Sequence, residues 1–296
     1  MTRADEPTDP NERRLVNPRD IERVRFSTLR EMSKSAAHYL DACQRRYEPT
    51  GEASQRLGSG THALLFGDKP VVEFGPGTFT PTKGKDAGKP KEYAGIKSGE
   101  YWDDFKAKNA GSVILSPAEY VVAKAMAEAI RSHPIAGPLL FKPQTLHEHE
   151  VLWDYCGRKM ASHLDAYRWV MTEGRGPGTL IDVKTSRDGN PARFGWSALR
   201  YHYYAQLACY TEAMESLGHP TPTPYIVLVE NERPYVVSVL RVVPRAIEFG
   251  RRQLRGWMEQ LLRCEDANAW GGYSECIEEL DLPGDRLTED LEDDTP

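Results

Sequence analysis

The sequence predicts an α/β fold in which a central mixed β-sheet is flanked by helices. Three runs of strand character, LHEHEVLWDY (146–155), KMASHLDAYRWV (159–170) and GTLIDVKTS (178–186), follow one another with turn signals between them. Segments of helical periodicity stand on either side, and two further strands precede the last helix. The order is therefore helices, three strands, helix, two strands, helix.

Residues 1–25 are polar and charged without sustained periodicity and are expected to form a flexible arm. A helix is predicted from Ser33 to Arg46, capped by Ser33 or Ser35. A second holds THALLFG (61–67), where His62 stands beside Ala63, Leu64, Leu65 and Phe66 and so starts near a core face. A lone histidine in such company is ordinarily a hydrogen-bonded core residue. Residues 69–116 are expected to be a long basic loop insertion. Its stretch from Gly75 to Ser98 is rich in Gly, Pro, Lys and Thr and carries Lys83, Lys85, Lys89, Lys91 and Lys97. These lysines are either a solvated insertion or a nucleic-acid contact, with Lys83, Lys85, Lys89 and Lys91 the candidates.

SPAEYVVAKAMAEAIRSHP reads as a helix begun by Ser116 with Pro117 at its first position and stopped before Pro134. After the three strands, one long helix is predicted from Ser197 to Leu217, ended by Gly218 and Pro220. PYIVLVENERPYVVSVLRVVP reads as a hairpin, and an amphipathic helix follows Pro244. Residues 26–284 are expected to be one domain, and RLTEDLEDDTP places a disordered acidic tail at 285–296.

Bulk properties narrow the function classes. The chain has 296 residues, 40% hydrophobic and 28% charged, enough for a sizeable core. No apolar run approaches the roughly 18 residues of a membrane span, and no secretory signal opens the chain, so a cytoplasmic location is expected. The cysteines Cys43, Cys156, Cys209, Cys264 and Cys276 are scattered, with no CxxC pair, and are expected to be reduced and mostly buried; Cys264 and Cys276 stand too far apart for an iron-sulfur clasp. A net charge of −6 argues against holding nucleic acid through a global basic surface, so any such contact is local.

In GTLIDVKTS, alternation sends Asp182 and Lys184 to one face and Ile181 and Val183 to the other. A carboxylate and an ammonium on a mostly apolar strand are either a strand-end salt bridge or a working pair. Asp165 lies on the preceding strand, opposite in facing to Leu164, and one hairpin turn sets it beside Asp182. Two carboxylates held close repel unless a cation sits between them, and hard cations such as Mg²⁺, Mn²⁺ or Ca²⁺ accept oxygen ligands of this kind. Gln206 and Tyr210, four residues apart in a helix, share a face.

A Glu-bearing strand, then Asp, then IDVK, then a helix with QxxxY is an order that resembles the PD-(D/E)xK nuclease superfamily with its restriction-endonuclease-like core. The RecB-like branch fits best, and within it the RecE (exodeoxyribonuclease VIII) type of phage and prophage exonuclease, through GTHALL, AMAEAIRSHPIAGPLL and EVLWDYCGRKMASHLDAY. The resemblance implies that His62, Asp165 and Asp182 ligate a metal with the Val183 carbonyl, that Lys184 is catalytic, and that Gln206 and Tyr210 form the QxxxY pair. The strand acid is Glu148 or Glu150, the spacing to Trp153 favouring Glu148. His163 falls where relatives often carry a basic side chain.

The resemblance further implies Mg²⁺ as cofactor, with Mn²⁺ as a substitute, and 5′ to 3′ degradation of linear double-stranded DNA from its ends. The product would carry a 3′ single-stranded tail for recombination by strand annealing. It also implies a toroidal homo-oligomer, a tetramer or trimer, a RecT-like annealing partner, and residence in a bacterial or phage-infected cytoplasm with no membrane. Two other readings remain: a different nuclease of the superfamily, endonucleolytic or specific for single strands, and a non-catalytic DNA-binding protein on the same fold.

Overall fold

A computed structural model describes residues 18–45, 53–169 and 177–280. The acidic tail at 285–296 and most of the N-terminal arm lie outside the described residues.

In chain order the first elements are β1 (Val24–Arg25), α1 (Phe26–Leu29), α2 (Ala36–Arg45) and α3 (Ala53–Phe66). Then come β2 (Val71–Glu73), β3 (Gly77–Phe79), β4 (Lys91–Tyr93), α4 (Gly99–Lys108), β5 (Val113–Leu115), α5 (Pro117–Ser132) and α6 (Ala136–Leu140). The rest are β6 (Leu146–Tyr155), β7 (Arg158–Arg168), β8 (Thr179–Ser186), α7 (Pro191–Arg200), α8 (Tyr203–Ser216), β9 (Thr223–Glu230), β10 (Val237–Arg241) and α9 (Pro244–Ala267).

β6 and β7 form a hairpin whose two-residue loop, Cys156–Gly157, has φ of 50° and 80°. Two consecutive left-handed residues are what a type I′ turn requires, and this turn matches the twist of the flanking strands. β8 runs antiparallel to β7 and parallel to β9, and β10 closes the sheet antiparallel to β9. The mixed α/β sheet is thus present. A parallel β8–β9 pair needs a crossover, which α7 and α8 supply.

The two faces bury separate cores. On one, Met160, Leu164, Leu180, Ile226 and Leu228 pack against α2, α8 and α9; on the other, Ala166, Ile181, Val183, Val227 and Val229 meet α3, α5 and α6. α5 starts as expected: Ser116 accepts the Glu119 amide at 3.2 Å while the Glu119 carboxylate accepts the Ser116 amide at 2.7 Å, a capping box with Pro117 at the first position. α8 and α9 cross where a Cβ on Gly250 would lie 2.1 Å from the Tyr204 carbonyl oxygen, so only glycine admits this backbone approach.

Four expectations are corrected. The arm does not extend to residue 25, because buried Val24 pairs in parallel with Met160. The segment THALLF is helical as expected and closes a helix, α3, that begins at Ala53. The stretch 69–116 is not a loop: it carries β2 to β5 and α4 around Phe74, whose ring meets Tyr93, Tyr101, Trp102 and Phe105 at 5.9, 5.5, 4.8 and 4.9 Å. The single helix from Ser197 to Leu217 is two helices, α7 and α8, separated at His202 with φ of 60°. α7 starts earlier, at Pro191, capped by the Asn190 side chain on the Ala192 amide at 2.9 Å. The first predicted helix starts at Ala36 rather than Ser33, and Ser35 accepts the His38 amide at 3.3 Å at its start.

None of the five cysteines is in a disulfide, and of them Cys43 and Cys209 are buried. Among the described residues no helix is long and apolar enough to cross a membrane.

Candidate active site

β7 meets β6 along nearly its whole length, but its other edge is shared: β1 takes Met160 and Ala161, and β8 takes Ala166 to Arg168. Residues 162–165 therefore lie in a fork with no strand on that edge. Asp165 sits at the point where β8 joins, and its Oδ2 accepts the Val183 amide at 2.7 Å in place of a main-chain oxygen. One acid thus satisfies a buried donor and bridges the two strands that carry the site.

β7 and β6 both turn over at this point. Leu164 belongs to one core and Ala166, two residues on, to the other, which regular alternation forbids. In β6 the pairing skips Glu148, whose φ is 47°, while His147 and His149 on either side keep theirs. A left-handed glutamate is a local strain of the kind concentrated at functional positions. The twist directs Glu148 inward and leaves Glu150 ion-paired with Arg25 at 2.7 Å on the surface, their side chains being 11% and 46% exposed. Glu150 is thereby removed from the candidate acids, although simple alternation puts both residues on one face.

His62, near the end of α3, reaches into this cluster. Its Nδ1 lies 3.3 Å from Glu148 Oε1 and 3.8 Å from Asp165 Oδ1, and its Nε2 lies 3.1 Å from the Val183 carbonyl oxygen. Both ring nitrogens face acceptors, the arrangement that a doubly protonated imidazolium satisfies. Burial works against that charge, but Asp165 and Glu148 outweigh it and push the His62 pKa up to about 9. His163 approaches the other oxygen of Glu148 at 3.3 Å.

Asp182 and Lys184 share a face, as alternation predicts. The Lys184 ammonium lies 2.7 Å from Asp182 Oδ2 and 5.0 Å from the Tyr203 ring centre. Asp182 is 1% exposed, and its Oδ1 has no hydrogen-bond partner among the described residues. Burial raises its pKa to about 6 despite the pull of Lys184. Lys184 is held above its ordinary value, because Asp182 and Asp165 outweigh its burial, so it stays an ammonium. Gln206 donates to the Tyr210 hydroxyl at 2.8 Å, and burial lifts the Tyr210 pKa well above normal, so the phenol stays neutral.

His62, Glu148 and Asp165 each offer a ligand atom within 4.8 Å of the others. One imidazole and two carboxylates form a donor set rich in hard oxygen, so these residues fit a divalent cation; the Val183 carbonyl faces the other ring nitrogen of His62, and the buried Asp182 feels the charges of Asp165 and His62 from β8. A cleft of about 320 Å³ opens onto the cluster, lined by His62, Glu148, His163, Asp165 and Tyr210. A smaller cavity of about 120 Å³ lies in the fork beyond His163 and Tyr210, walled by Arg25, Arg30, Ser162 and Gln206.

The family described as "PDDEXK-like domain of unknown function (DUF3799)" matches residues 25–283. The chain belongs to this family. No curated protein matches this DUF3799 chain in sequence. Its fold is similar to that of a "putative exonuclease" from Eubacterium rectale, known from a crystal structure, with a TM-score of 0.57 at 12% identity over 90% of this chain and 93% of that one. At that identity the likeness is one of fold, and it agrees with the restriction-endonuclease-like core.

The structure brings His62, Glu148 and Asp165 within 4.8 Å of one another, ties Val183 to them through His62 and Asp165, and sets the Asp182–Lys184 pair on the same strand as Val183, with Tyr210 on the wall of the cleft. Gln206 faces the smaller cavity rather than the acids. Lys83, Lys85, Lys89 and Lys91 lie on the β3–β4 arm, where Lys91 pairs with Asp86, and none of them lines the cleft, whereas Lys69 does. Arg25, Arg30 and Tyr203 were not singled out from the sequence. No motif marks them, since the fork that exposes the two arginines exists only once β1 and β8 share an edge of β7.

Proposed function

We propose that this chain is a divalent-metal-dependent exonuclease that hydrolyses phosphodiesters at the ends of linear double-stranded DNA. The observation that carries it is the convergence of His62, Glu148 and Asp165 within 4.8 Å on the wall of an open cleft, with the Lys184–Asp182 pair on the strand that Asp165 bonds. A strand-end salt bridge or a core histidine alone has no need of the strained Glu148 or the unpartnered Asp182 oxygen.

As the resemblance implies, His62, Asp165, Asp182 and the Val183 carbonyl would hold the cation, with Glu148 as a further carboxylate. With Mg²⁺, or Mn²⁺ in its place, bound there, phosphate charge would be neutralised and the pKa of water lowered. Lys184 keeps its proton and so acts by charge, donating to a non-bridging phosphate oxygen or orienting the attacking water. Water forms the new bond to phosphorus as the bond to the leaving oxygen breaks, and no covalent intermediate on the protein is required. Arg25 and Arg30, in the fork, offer guanidinium groups to a neighbouring phosphate, and Lys83, Lys85, Lys89 and Lys91 on the β3–β4 arm offer more distant backbone contacts.

The finer assignments rest on the resemblance to RecE-type exonucleases: 5′ to 3′ polarity, a 3′ single-stranded product for recombination by annealing, a RecT-like partner, and a toroidal trimer or tetramer. A ring suits a chain of net charge −6, since encirclement replaces part of the electrostatic grip. The test is hydrolysis of end-labelled linear duplex, nicked circle and closed circle in Mg²⁺, by the native chain and by Lys184→Ala. Loss of label from linear duplex alone, abolished by the substitution, supports the proposal. Cleavage of closed circles, or an unaffected Lys184→Ala, rejects it.

A further inference from the structure

A chain of rings leads out of the site on the α8 side of the sheet. The Lys184 ammonium lies over the Tyr203 ring; Tyr203 stacks on buried Phe194 at 5.9 Å and meets Tyr201 at 5.8 Å. The Arg200 guanidinium covers Tyr201 at 5.7 Å. Tyr201 is 48% exposed, and on α7 Trp196 is 76% exposed, with half-exposed Leu199 between them in sequence. α7 buries Phe194 and Ala198 and leaves these rings to solvent, so packing does not explain them. The same segment carries Arg187, Arg193 and Arg200; Arg193 pairs with Asp188 at 2.8 Å and Arg187 with Glu232 at 3.5 Å, which leaves Arg200 over the Tyr201 ring as the guanidinium nearest the exposed tyrosine.

Exposed aromatic rings interleaved with arginines suit one ligand class, single-stranded nucleic acid: bases stack on the rings and phosphates meet the guanidinium groups. Duplex DNA cannot use them in this way, because its base faces are already stacked. The continuity from Lys184 through Tyr203 places Tyr201 next to the group proposed to face the scissile phosphate, while Trp196, five positions earlier, stands about 140° round α7 on a neighbouring exposed face.

We propose that Tyr201, with Arg200 over it, forms a stacking platform for an unpaired base flanking the scissile phosphate, with Trp196 on the neighbouring face of α7 as a second stacking contact further along the strand, and this rests on the nuclease reading above. An end-acting enzyme must part the strands before cutting one of them, and the platform holds the parted strand in line with Lys184.

The test is binding of the full chain in EDTA, where no hydrolysis intervenes, to a fluorescein-labelled oligothymidylate of about 16 nucleotides and to a blunt duplex. Trp196→Ala and Tyr201→Ala are each expected to raise the single-strand Kd at least about fivefold, leave duplex binding within about twofold, and leave the thermal midpoint unchanged. Trp196→Phe, which keeps a ring, is expected to restore most of the loss. A double variant that binds the oligothymidylate as well as the native chain, or that loses duplex binding equally, overturns the proposal. So does an oligomer that dissociates on Trp196→Ala with strand binding intact, which assigns the face to a second copy. Hydrolysis in Mg²⁺ is scored separately: a chain that binds the strand through these rings but cuts nothing removes the nuclease reading and keeps the platform.

Discussion

Asp165 accepts the main-chain N–H of Val183 at 2.7 Å, and through this bond an acid on β7 sets the position of the carbonyl and the Asp182–Lys184 pair on β8. Asp165 has two duties: one oxygen replaces a missing ladder bond, and the other faces His62. Asp165→Ala is expected to abolish metal binding and also to leave the Val183 amide unsatisfied, a loss of about 1–3 kcal/mol. Asp165→Asn keeps an acceptor, so its urea midpoint should stay near that of the native chain while hydrolysis is lost.

Glu148 and Glu150 separate by function. Glu148→Gln is expected to lower hydrolysis of linear duplex by about 10²-fold or more and to weaken Mn²⁺ binding. Glu150→Gln should leave both within about twofold, because Glu150 pairs with Arg25 at the surface.

Lys184 and Asp182 are coupled by burial. Lys184→Met leaves the Asp182 carboxylate without its cation and is expected to destabilise the metal-free protein by about 3 kcal/mol. Asp182→Asn combined with Lys184→Met should cost less than the sum of the single changes. Additive urea-unfolding energies for the three variants would contradict the pairing.

Metal binding should depend on pH with a defined sign. His62 must lose its proton to serve as a ligand, and its pKa is pushed up to about 9 by Asp165 and Glu148 against burial. Mn²⁺ affinity is therefore expected to rise about tenfold per pH unit between neutrality and pH 9, with one proton released. Below about 6 protonation of Asp182 steepens the slope. In the metal-free protein the His62 contribution to stability is complete below the ordinary histidine value and is lost as pH rises through about 9. Calorimetry in buffers of different ionisation enthalpy counts the proton, and a pH-independent affinity contradicts the assignment.

Gly250 controls the packing that supports α8. A methyl at this position would meet the Tyr204 carbonyl at 2.1 Å, so Gly250→Ala is expected to destabilise the fold by about 1–3 kcal/mol or more, read by urea unfolding.

The strands and the acids were legible because both follow simple rules. β6 begins and ends where its alternation does, and Asp182 and Lys184 share a face because β8 is regular. What escaped depends on geometry that departs from period two or on contacts distant in sequence. Alternation cannot separate Glu148 from Glu150; the left-handed φ at Glu148 does. The break at His202 has no Gly or Pro to announce it, so α7 and α8 read as one helix. Phe74, Tyr93, Tyr101, Trp102 and Phe105 are scattered through a Gly- and Lys-rich stretch whose composition suggests a loop, and only their mutual packing shows a small core. β1 has two residues, too few for any periodic signal, yet it creates the fork that exposes Arg25 and Arg30.

The most direct test is an anomalous difference map from crystals of the chain soaked in Mn²⁺. The account predicts one strong peak enclosed by the His62 imidazole, the carboxylates of Glu148, Asp165 and Asp182, and the Val183 carbonyl, lost in Asp165→Ala crystals. Full soaking with no density among these groups, or a peak elsewhere that persists in the variant, would contradict it.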